Sequence, residues 1–160
     1  MKFLAAPWRW DFIAGLGKKE TGCIFCRALS LPEKESLVCF RGEKFFVILN
    51  KYPYSTGHLM IVPYAHVDFP DKISPADSVE MWTLLNRSLA ILKTIFNPAA
   101  FNIGMNIGQA AGAGVKDHFH LHIVPRWEGD ANFMAVIGQT KVVSYCLEKV
   151  FEKLYGEFNR

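Results

Sequence analysis

Apolar and polar residues alternate over several short stretches of the chain, which is the pattern of half-buried β-strands. Residues 45–49 and 58–62 are rich in Phe, Val, Ile and Leu. They enclose a segment with Pro, Ser, Thr and Gly, so they predict two antiparallel strands joined by a turn. Between residues 101 and 108 the alternation is complete, with Phe101, Ile103, Met105 and Ile107 on one face. We expect that face to lie in the core and the opposite, polar face to be open.

Two other stretches carry apolar residues at helical spacing. The first begins at Ser74 and Pro75, an N-cap residue and a first helical residue, and ends before Asn97 and Pro98. Its apolar positions are Met81, Leu84, Leu85, Leu92, Ile95 and Phe96. The second begins near Thr140, with Val143, Cys146, Leu147, Val150 and Leu154 on one stripe. Together these elements predict an α+β fold, with an antiparallel sheet of about five strands, a long helix and a C-terminal helix.

The chain has 160 residues, the size of one ordinary domain. Residues 1–22 contain three glycines and two adjacent lysines and predict an N-terminal arm, whereas residues 23–160 predict a single domain. The arm has four large apolar residues that we expect to anchor it: Trp8, Trp10, Phe12 and Ile13. They can pack on their own domain or on a partner subunit.

The composition excludes several classes of protein. With 51% apolar and 21% charged residues the chain is too hydrophobic for disorder, and no uninterrupted apolar run is long enough to cross a bilayer. The apolar stretch at the start is too short for a signal peptide, so we expect a cytoplasmic protein. A net charge of +3 suits an anionic small ligand and falls short of a nucleic-acid-binding surface. We therefore expect neither a membrane nor a nucleic acid as partner.

Three histidines alternate with apolar residues at positions 118–123, in the order His-Phe-His-Leu-His-Ile. On one extended strand the imidazoles of His118, His120 and His122 leave the same face, and the apolar side chains leave the other. One histidine on a strand is most often a structural hydrogen-bonding residue, but a strict alternation of three indicates function. The small residues of the preceding loop, 108–115, let backbone N–H groups approach an anion closely. The pattern predicts a phosphate-handling site.

These residues resemble the signature of the histidine-triad (HIT) family of nucleotide hydrolases and transferases. The signature covers His118 to Val124, and the expected Asn106-Ile107-Gly108 and Ala111-Gly112 precede it. The similarity extends through Asn50, residues 57–63 and His66, and covers most of the chain from Cys23 to about Met134. Residues 124–134 and 6–10 are similar to the branch that contains diadenosine tetraphosphate phosphorylases.

The resemblance implies a nucleotidyl-transfer enzyme that acts on the α-phosphate of a (di)nucleoside polyphosphate, with diadenosine tetraphosphate phosphorylase or hydrolase as the expected activity. It implies His120 as the nucleophile, with its other ring nitrogen held by a backbone carbonyl, and His122 as a contact to phosphate and leaving group. The implied nucleotide-binding residues, besides His122, are Asn50 for ribose, Asn106 for the phosphate or the bridge, and Gly108, Gly112, Gly114 and Val115. We assign His58 no catalytic step. Family members are commonly homodimers, so we expect a homodimer whose N-terminal aromatics and residues 127–134 help to complete the substrate pocket.

The acceptor of the second step stays open at this point. Water gives AMP by hydrolysis, whereas inorganic phosphate gives ADP by phosphorolysis. In the phosphorylase branch a hydroxyl side chain is expected in the loop before the triad, and Ala113-Gly114-Val115 supplies none.

The pair Cys23 and Cys26 has the spacing of zinc ligands, and two histidines from elsewhere can complete a four-coordinate site. The candidates are His66 and His118, and the resemblance implies the same four residues, because some HIT relatives bind zinc in this way. We therefore expect a structural zinc and no organic cofactor. A redox couple or two unconnected core thiols are the alternatives. Cys39 and Cys146 have apolar neighbours and are expected to be buried, inert thiols.

Three other functions are also compatible with the sequence. The histidine cluster could chelate a catalytic metal together with Asp117, which would make the protein a metal-dependent hydrolase. The substrate could be a nucleoside phosphoramidate, as in hydrolases of the Hint type. The third possibility is a nucleotide sensor without catalytic activity.

Overall fold

Five antiparallel strands form one sheet in the order β1-β2-β3-β5-β4 in the computed structural model, which describes residues 22–130 and 146–160. The strands are β1 (Val38–Arg41), β2 (Phe45–Leu49), β3 (Leu59–Pro63), β4 (Ala100–Gly104) and β5 (Leu121–Arg126). The helices are α1 (Ile24–Ala28), α2 (Glu33–Ser36), α3 (Pro75–Phe96) and α4 (Leu147–Phe158). Short 3-10 turns occupy Pro70–Lys72 and Gln109–Ala111. The predicted α+β fold is confirmed.

The centre of the sheet is the predicted antiparallel pair of β2 and β3. All ten residues of these two strands are buried, and their register pairs Phe45 with Pro63 and Leu49 with Leu59. Strand β1 was not predicted, because its Val-Cys-Phe-Arg segment is too short to show a period and Gly42 follows it at once. It pairs with β2 and forms one edge of the sheet.

The long helix α3 begins and ends where the sequence predicts. The Ser74 side chain accepts a hydrogen bond from the Asp77 N–H, Pro75 is the first helical residue, and Asn97 ends the helix in a left-handed conformation before Pro98. The apolar stripe that was predicted lies on the core, with Met81, Leu84, Leu85 and Leu92 buried and Ile95 and Phe96 packed against it. Within the described residues, 22–130 and 146–160, no helix combines the length and the apolar character that a bilayer-spanning segment needs.

Two side chains of α3 hold outer parts of the fold. The Glu80 carboxylate accepts hydrogen bonds from the Glu43 and Lys44 N–H groups, both at 2.7 Å, and so closes the turn between β1 and β2. The Arg87 guanidinium donates to the Phe158 carbonyl and lies 4.2 Å from the centre of the Phe40 ring. Helix α3 therefore connects β1 to the C-terminal helix.

The C-terminal helix α4 begins at Leu147, with Val150 and Leu154 buried as predicted. Thr140 and Val143, which the prediction placed on the same helix, lie outside the described residues. Cys146 precedes the helix and is exposed, so the prediction of a buried thiol is wrong there. Its Sγ lies 3.0 Å from the Glu148 carboxylate, because the side chain points along the first turn and not into the core.

Strand β4 differs from its prediction in length and in burial. It ends at Gly104 instead of Gly108, and Ile103 on its supposed core face is 45% exposed. Phe101 and Met105 of the predicted core face pack against the core, so the prediction of a buried face fails at Ile103. Strand β4 lies at the edge of the sheet and pairs only with β5 in the part of the chain that is described.

Candidate functional site

The histidine segment lies where β5 begins, between β3 and β4. The sequence predicted that all three histidines lie on one strand. Strand β5 begins only at Leu121, so His118, Phe119 and His120 come just before it and only His122 lies on it. Here the ladder with β3 ends at the pair of Ile61 with Leu121. The Phe119 N–H instead donates to the Val67 carbonyl at 2.8 Å, which holds the chain extended. Phe119, Leu121 and Ile123 are buried in the core, so the predicted alternation persists.

The imidazole of His120 has a defined tautomer. Its Nδ1 lies 3.0 Å from the His118 carbonyl oxygen, which can only accept a hydrogen bond. Nδ1 therefore carries the proton of the neutral ring, and Nε2 has a free lone pair. This is the carbonyl contact that the resemblance implied. The ring is almost fully buried, at 5% exposure.

His122 belongs to a chain of hydrogen bonds that begins at the backbone of Tyr54. The Tyr54 N–H donates to His58 Nδ1 at 3.1 Å, so the proton of the neutral His58 ring is on Nε2. His58 Nε2 lies 2.9 Å from His122 Nδ1 and donates to it. The proton of a neutral His122 is therefore on Nε2, the nitrogen away from His58. His122 can donate this proton to a ligand.

His58 is the residue of this site that the sequence did not assign to it. Its imidazole is fully buried, with a relative exposure of 0%, and the Tyr54 ring stacks on it at a centroid distance of 5.0 Å and an interplanar angle of 22°. The sequence signal was the position of His58 one residue before β3, where its side chain lies on the same face as Met60, the partner of His122. A strand register was needed to use that signal.

Asn50 supports His58 from the end of β2. Its Oδ1 accepts a hydrogen bond from the Tyr52 N–H at 2.9 Å, and its Nδ2 lies 3.3 Å from His58 Nδ1. Asn50 is therefore a turn residue whose side chain also contacts His58. Its predicted contact with ribose stays a prediction.

Burial lowers the pKa of His120 and of His122. Desolvation lowers the pKa of His120, although its hydrogen bond to the His118 carbonyl opposes the shift. Desolvation, together with the neighbouring His120, lowers the pKa of His122 to about 4. The two rings meet edge to face at a centroid distance of 4.7 Å. Both rings are therefore neutral at physiological pH, as the tautomers above require.

The predicted nucleotide-binding loop connects β4 to β5 and begins beside the histidines, since Gly104 pairs with His122. It contains Asn106, Gly108, Gly112, Gly114 and Val115. Gly108 and Gly112 have φ values of 79° and 80°, which favour glycine. A Cβ atom added at Gly104, Gly108 or Gly112 would meet no atom within 4 Å. These glycines therefore border open space, into which an anion can approach the backbone.

The four predicted metal ligands come together in space. One donor atom from each of Cys23, Cys26, His66 and His118 lies within 4.8 Å of the others. Cys23 Sγ is 3.3 Å from His118 Nδ1, and Cys26 Sγ is 3.3 Å from His66 Nδ1 and 3.7 Å from His118 Nδ1. His118 Nε2 donates to the Pro63 carbonyl at 2.9 Å, which leaves Nδ1 unprotonated and directed at the sulfurs. These residues can hold a metal ion.

The spacing of these atoms fits tetrahedral coordination. An ion about 2.3 Å from sulfur and about 2.0 to 2.1 Å from nitrogen, with tetrahedral angles, holds S and N about 3.6 Å apart. The three measured S to N distances, 3.3, 3.3 and 3.7 Å, lie close to that value. Within the described residues this is the one cluster of at least three His, Cys, Asp or Glu side chains able to hold a metal, and it contains neither His120 nor His122. The geometry does not favour the alternative of a catalytic metal on the triad.

The remaining thiol, Cys39, is fully buried, as predicted. Burial raises its pKa far above the ordinary thiol value, so it stays protonated and inert.

Comparison with known proteins decides the family. The profile of the family described as "HIT domain" matches residues 32–129, more than half of the chain. The chain belongs to the HIT family. This HIT protein is 38% identical over 136 residues to the AP-4-A phosphorylase of Mycobacterium tuberculosis, an alignment that covers 85% of this chain and 70% of the relative. The family resemblance drawn from the histidine segment is confirmed.

Two further relatives show the range of the family. The HIT protein is 28% identical over 95 residues to the asymmetrical bis(5'-nucleosyl)-tetraphosphatase of Schizosaccharomyces pombe, which covers 59% of this chain and 52% of that one. The crystal structure of a Zn-bound histidine triad family protein from Mycobacterium smegmatis matches with a TM-score of 0.68 and 25% identity, over 86% of this chain and 94% of that chain. The chain is therefore a member of a family of nucleotide-processing enzymes.

Proposed function

We propose that this HIT protein transfers a nucleotidyl group from a dinucleoside polyphosphate, with diadenosine tetraphosphate as the substrate and His120 as the nucleophile. The observation that carries the proposal is the hydrogen bond from His120 Nδ1 to the His118 carbonyl, because it leaves the Nε2 lone pair available for attack. The lowered pKa of the buried ring keeps that lone pair unprotonated at neutral pH. The tetraphosphate relatives in the family support the choice of substrate.

The first step forms a bond between His120 Nε2 and the α-phosphorus and breaks the bond to the bridging oxygen, so that ATP leaves. His122 is placed to donate its Nε2 proton in a hydrogen bond to the departing oxygen, because His58 occupies its Nδ1. The backbone N–H groups of Gly112, Gly114 and Val115 offset charge on the phosphate, with Gly108 permitting the turn and Asn106 contacting the phosphate or the bridge. Asn50 binds the ribose hydroxyls.

The second step breaks the bond between phosphorus and His120 Nε2 and restores the free imidazole. Inorganic phosphate as acceptor gives ADP, and water gives AMP. The similarity to the M. tuberculosis AP-4-A phosphorylase supports phosphate. The absence of a hydroxyl side chain at Ala113-Gly114-Val115 leaves only backbone donors there to hold it.

Product analysis tests this proposal directly. The protein is incubated with diadenosine tetraphosphate, with and without inorganic phosphate, and the nucleotides are separated by chromatography. ADP plus ATP that form only with phosphate identify a phosphorylase, and AMP plus ATP in both reactions identify a hydrolase. If neither reaction occurs while a nucleoside phosphoramidate is cleaved, the substrate proposed here is wrong and the Hint-type alternative holds.

We also propose that Cys23, Cys26, His66 and His118 hold zinc with a structural role. The donor set of two thiolates and two imidazoles is the one zinc prefers, and the zinc-bound relative from M. smegmatis supports this choice of metal. Bound zinc would supply a covalent link between α1 and the histidine segment, and the reduced thiols it needs suit a cytoplasmic location. Metal analysis of the purified protein should find about one zinc per chain, and C26S should lose it. Full zinc content in that variant would contradict this site.

A homodimer is the third part of the proposal. The outer edge of β4 supports it, because this edge has no paired neighbour within the described residues and exposes Ile103. A second copy that pairs there covers both the edge and the apolar side chain. Light scattering should give twice the chain mass for the wild type and the single mass for I103K. A wild-type monomer would contradict the proposal.

A further inference from the structure

Phe25, in helix α1, connects the pair of Cys23 and Cys26 to His120. It lies between Cys23 and Cys26 in the chain, and its side chain is buried at 2% exposure, whereas the neighbouring Ile24 is 44% exposed. The Phe25 ring packs on His120 at a centroid distance of 4.8 Å and an interplanar angle of 53°. It also meets the edge of His118 at 5.4 Å. Both distances lie in the range of favourable aromatic contacts, which is about 4.5 to 7 Å.

The contact limits the motion that the hydrogen bond alone leaves to His120. The bond from Nδ1 to the His118 carbonyl restrains one edge of the imidazole, but the ring can still rock about its bond to Cβ, which weakens the hydrogen bond and turns Nε2. A second ring packed on the imidazole obstructs this motion and keeps Nε2 in one direction. A nucleophile attacks efficiently only when its lone pair is aligned with the phosphorus, so the direction of Nε2 bears on the rate of attack.

Phe25 and His118 both contact His120, and both are tied to Cys23 and Cys26. Cys23 and Cys26 fix both ends of the short segment that carries Phe25, and Cys23 also contacts His118. The cysteine pair therefore bears on His120 through two contacts, the hydrogen bond to the His118 carbonyl and the packing of the Phe25 ring. Neither the sequence nor the family comparison assigned Phe25 a role.

We propose that Phe25 is a positioning residue for the nucleophile: its ring holds His120 so that Nε2 faces the α-phosphorus, and the cysteine pair fixes the ring in place. The proposal rests on the nucleotidyl transfer proposed above. It predicts that the loss of the aromatic ring slows the attack on phosphorus and leaves substrate binding intact.

The test compares F25L and F25M with F151L in the full-length, zinc-loaded protein. Phe151 is a buried phenylalanine of α4, outside the site, so its variant controls for lost core packing. With diadenosine tetraphosphate we expect kcat to fall by about 10- to 100-fold in both Phe25 variants, the scale of a displaced catalytic group. KM and zinc content should stay close to wild type. F151L should keep the wild-type kcat.

A measurement without substrate separates this proposal from the proposed function. In NMR spectra, the Nδ1 proton of His120 should exchange with solvent about tenfold faster in F25L, which corresponds to a hydrogen bond weakened by about 1.4 kcal/mol. Wild-type exchange in F25L and F25M, or equally fast exchange in F151L, would overturn the positioning role even if nucleotidyl transfer is established. If the Phe25 variants lose zinc, exchange of the same His120 proton is measured in wild-type protein stripped of its metal, which separates the loss of the ring from the loss of zinc. Slow exchange there supports Phe25, and fast exchange contradicts it.

Discussion

The hydrogen bond between His58 and His122 provides a sharp prediction, because His58 does not face the substrate in the proposed reaction. Replacing His58 with Met introduces an apolar side chain of similar size and removes the donor to His122 Nδ1. Replacing it with Gln keeps an amide N–H near the position of Nε2. We expect H58M to be slow and H58Q to retain much of the activity.

The size of the effect follows from one buried hydrogen bond of 2.9 Å. A buried polar atom left without its partner costs about 1 to 3 kcal/mol, which corresponds to a decrease of about 5- to 150-fold in kcat if the loss falls on the transition state. The same substitution leaves the Nε2 proton of His122 unfixed, because Nδ1 can then carry the proton instead. Both effects act on the leaving group, so KM should change little.

The assay is steady-state turnover of diadenosine tetraphosphate, combined with urea denaturation to show that each variant is folded under the assay conditions. A wild-type kcat in H58M would refute the reasoning about the His122 tautomer. The same reasoning would be refuted if H58Q were as slow as H58M, because a hydrogen-bond donor to His122 Nδ1 would then not restore the rate.

Three further predictions concern stability and pH. E80Q replaces one of the two oxygens that accept from the Glu43 and Lys44 N–H groups with an NH2 donor, and it should lower the free energy of unfolding by about 1 to 2 kcal/mol in urea denaturation. R87M removes the donor to the Phe158 carbonyl and should cost about 1 to 3 kcal/mol in the same assay. The lowered pKa of His122 makes the folded protein bind fewer protons than the unfolded chain below about pH 6.5. His122 should therefore cost up to about 2 kcal/mol of stability on acidification to about pH 5, and H122N should lose less.

Each of these predictions has a control variant or a result that would contradict it. E128Q removes the same charge from the exposed turn after β5 and should leave stability unchanged. An equal loss of stability in E80Q and E128Q would point to net charge and not to the turn between β1 and β2. An R87M protein as stable as the wild type would show that the contact with Phe158 contributes nothing. Identical pH dependence in the wild type and H122N would show that His122 titrates normally.

The strong sequence patterns predicted the fold and singled out the histidines and cysteines that the structure brings together, and three-dimensional pairing was needed for the rest. Ser74, Pro75 and Asn97 defined helix α3 because capping depends on local chemistry. The exposure of Ile103 depends on whether a second strand lies beside β4, and alternation cannot show this. The same limit applied to His58, because only the register of β3 with β5 places it beside His122.

The clustering of Cys23, Cys26, His66 and His118 was predictable for a different reason. The spacing of Cys23 and Cys26 and the family signature identified a ligand set that the structure assembles within 4.8 Å. The role of Phe25 was not predictable, since an apolar residue between two cysteines has no distinguishing pattern. Its packing on His120 depends on the path of the chain from α1 to β5.

The central claim is that His120 forms a covalent bond to the nucleotide, and a rapid-quench experiment tests it most directly. The protein is mixed with one equivalent of diadenosine tetraphosphate, quenched with base within the first turnover and digested for mass spectrometry. We predict an adenylyl group on the peptide that contains His120, located on that residue by fragmentation and absent from H120A. Product formation without any adenylyl-peptide, or an adenylyl group on another residue, would contradict the account.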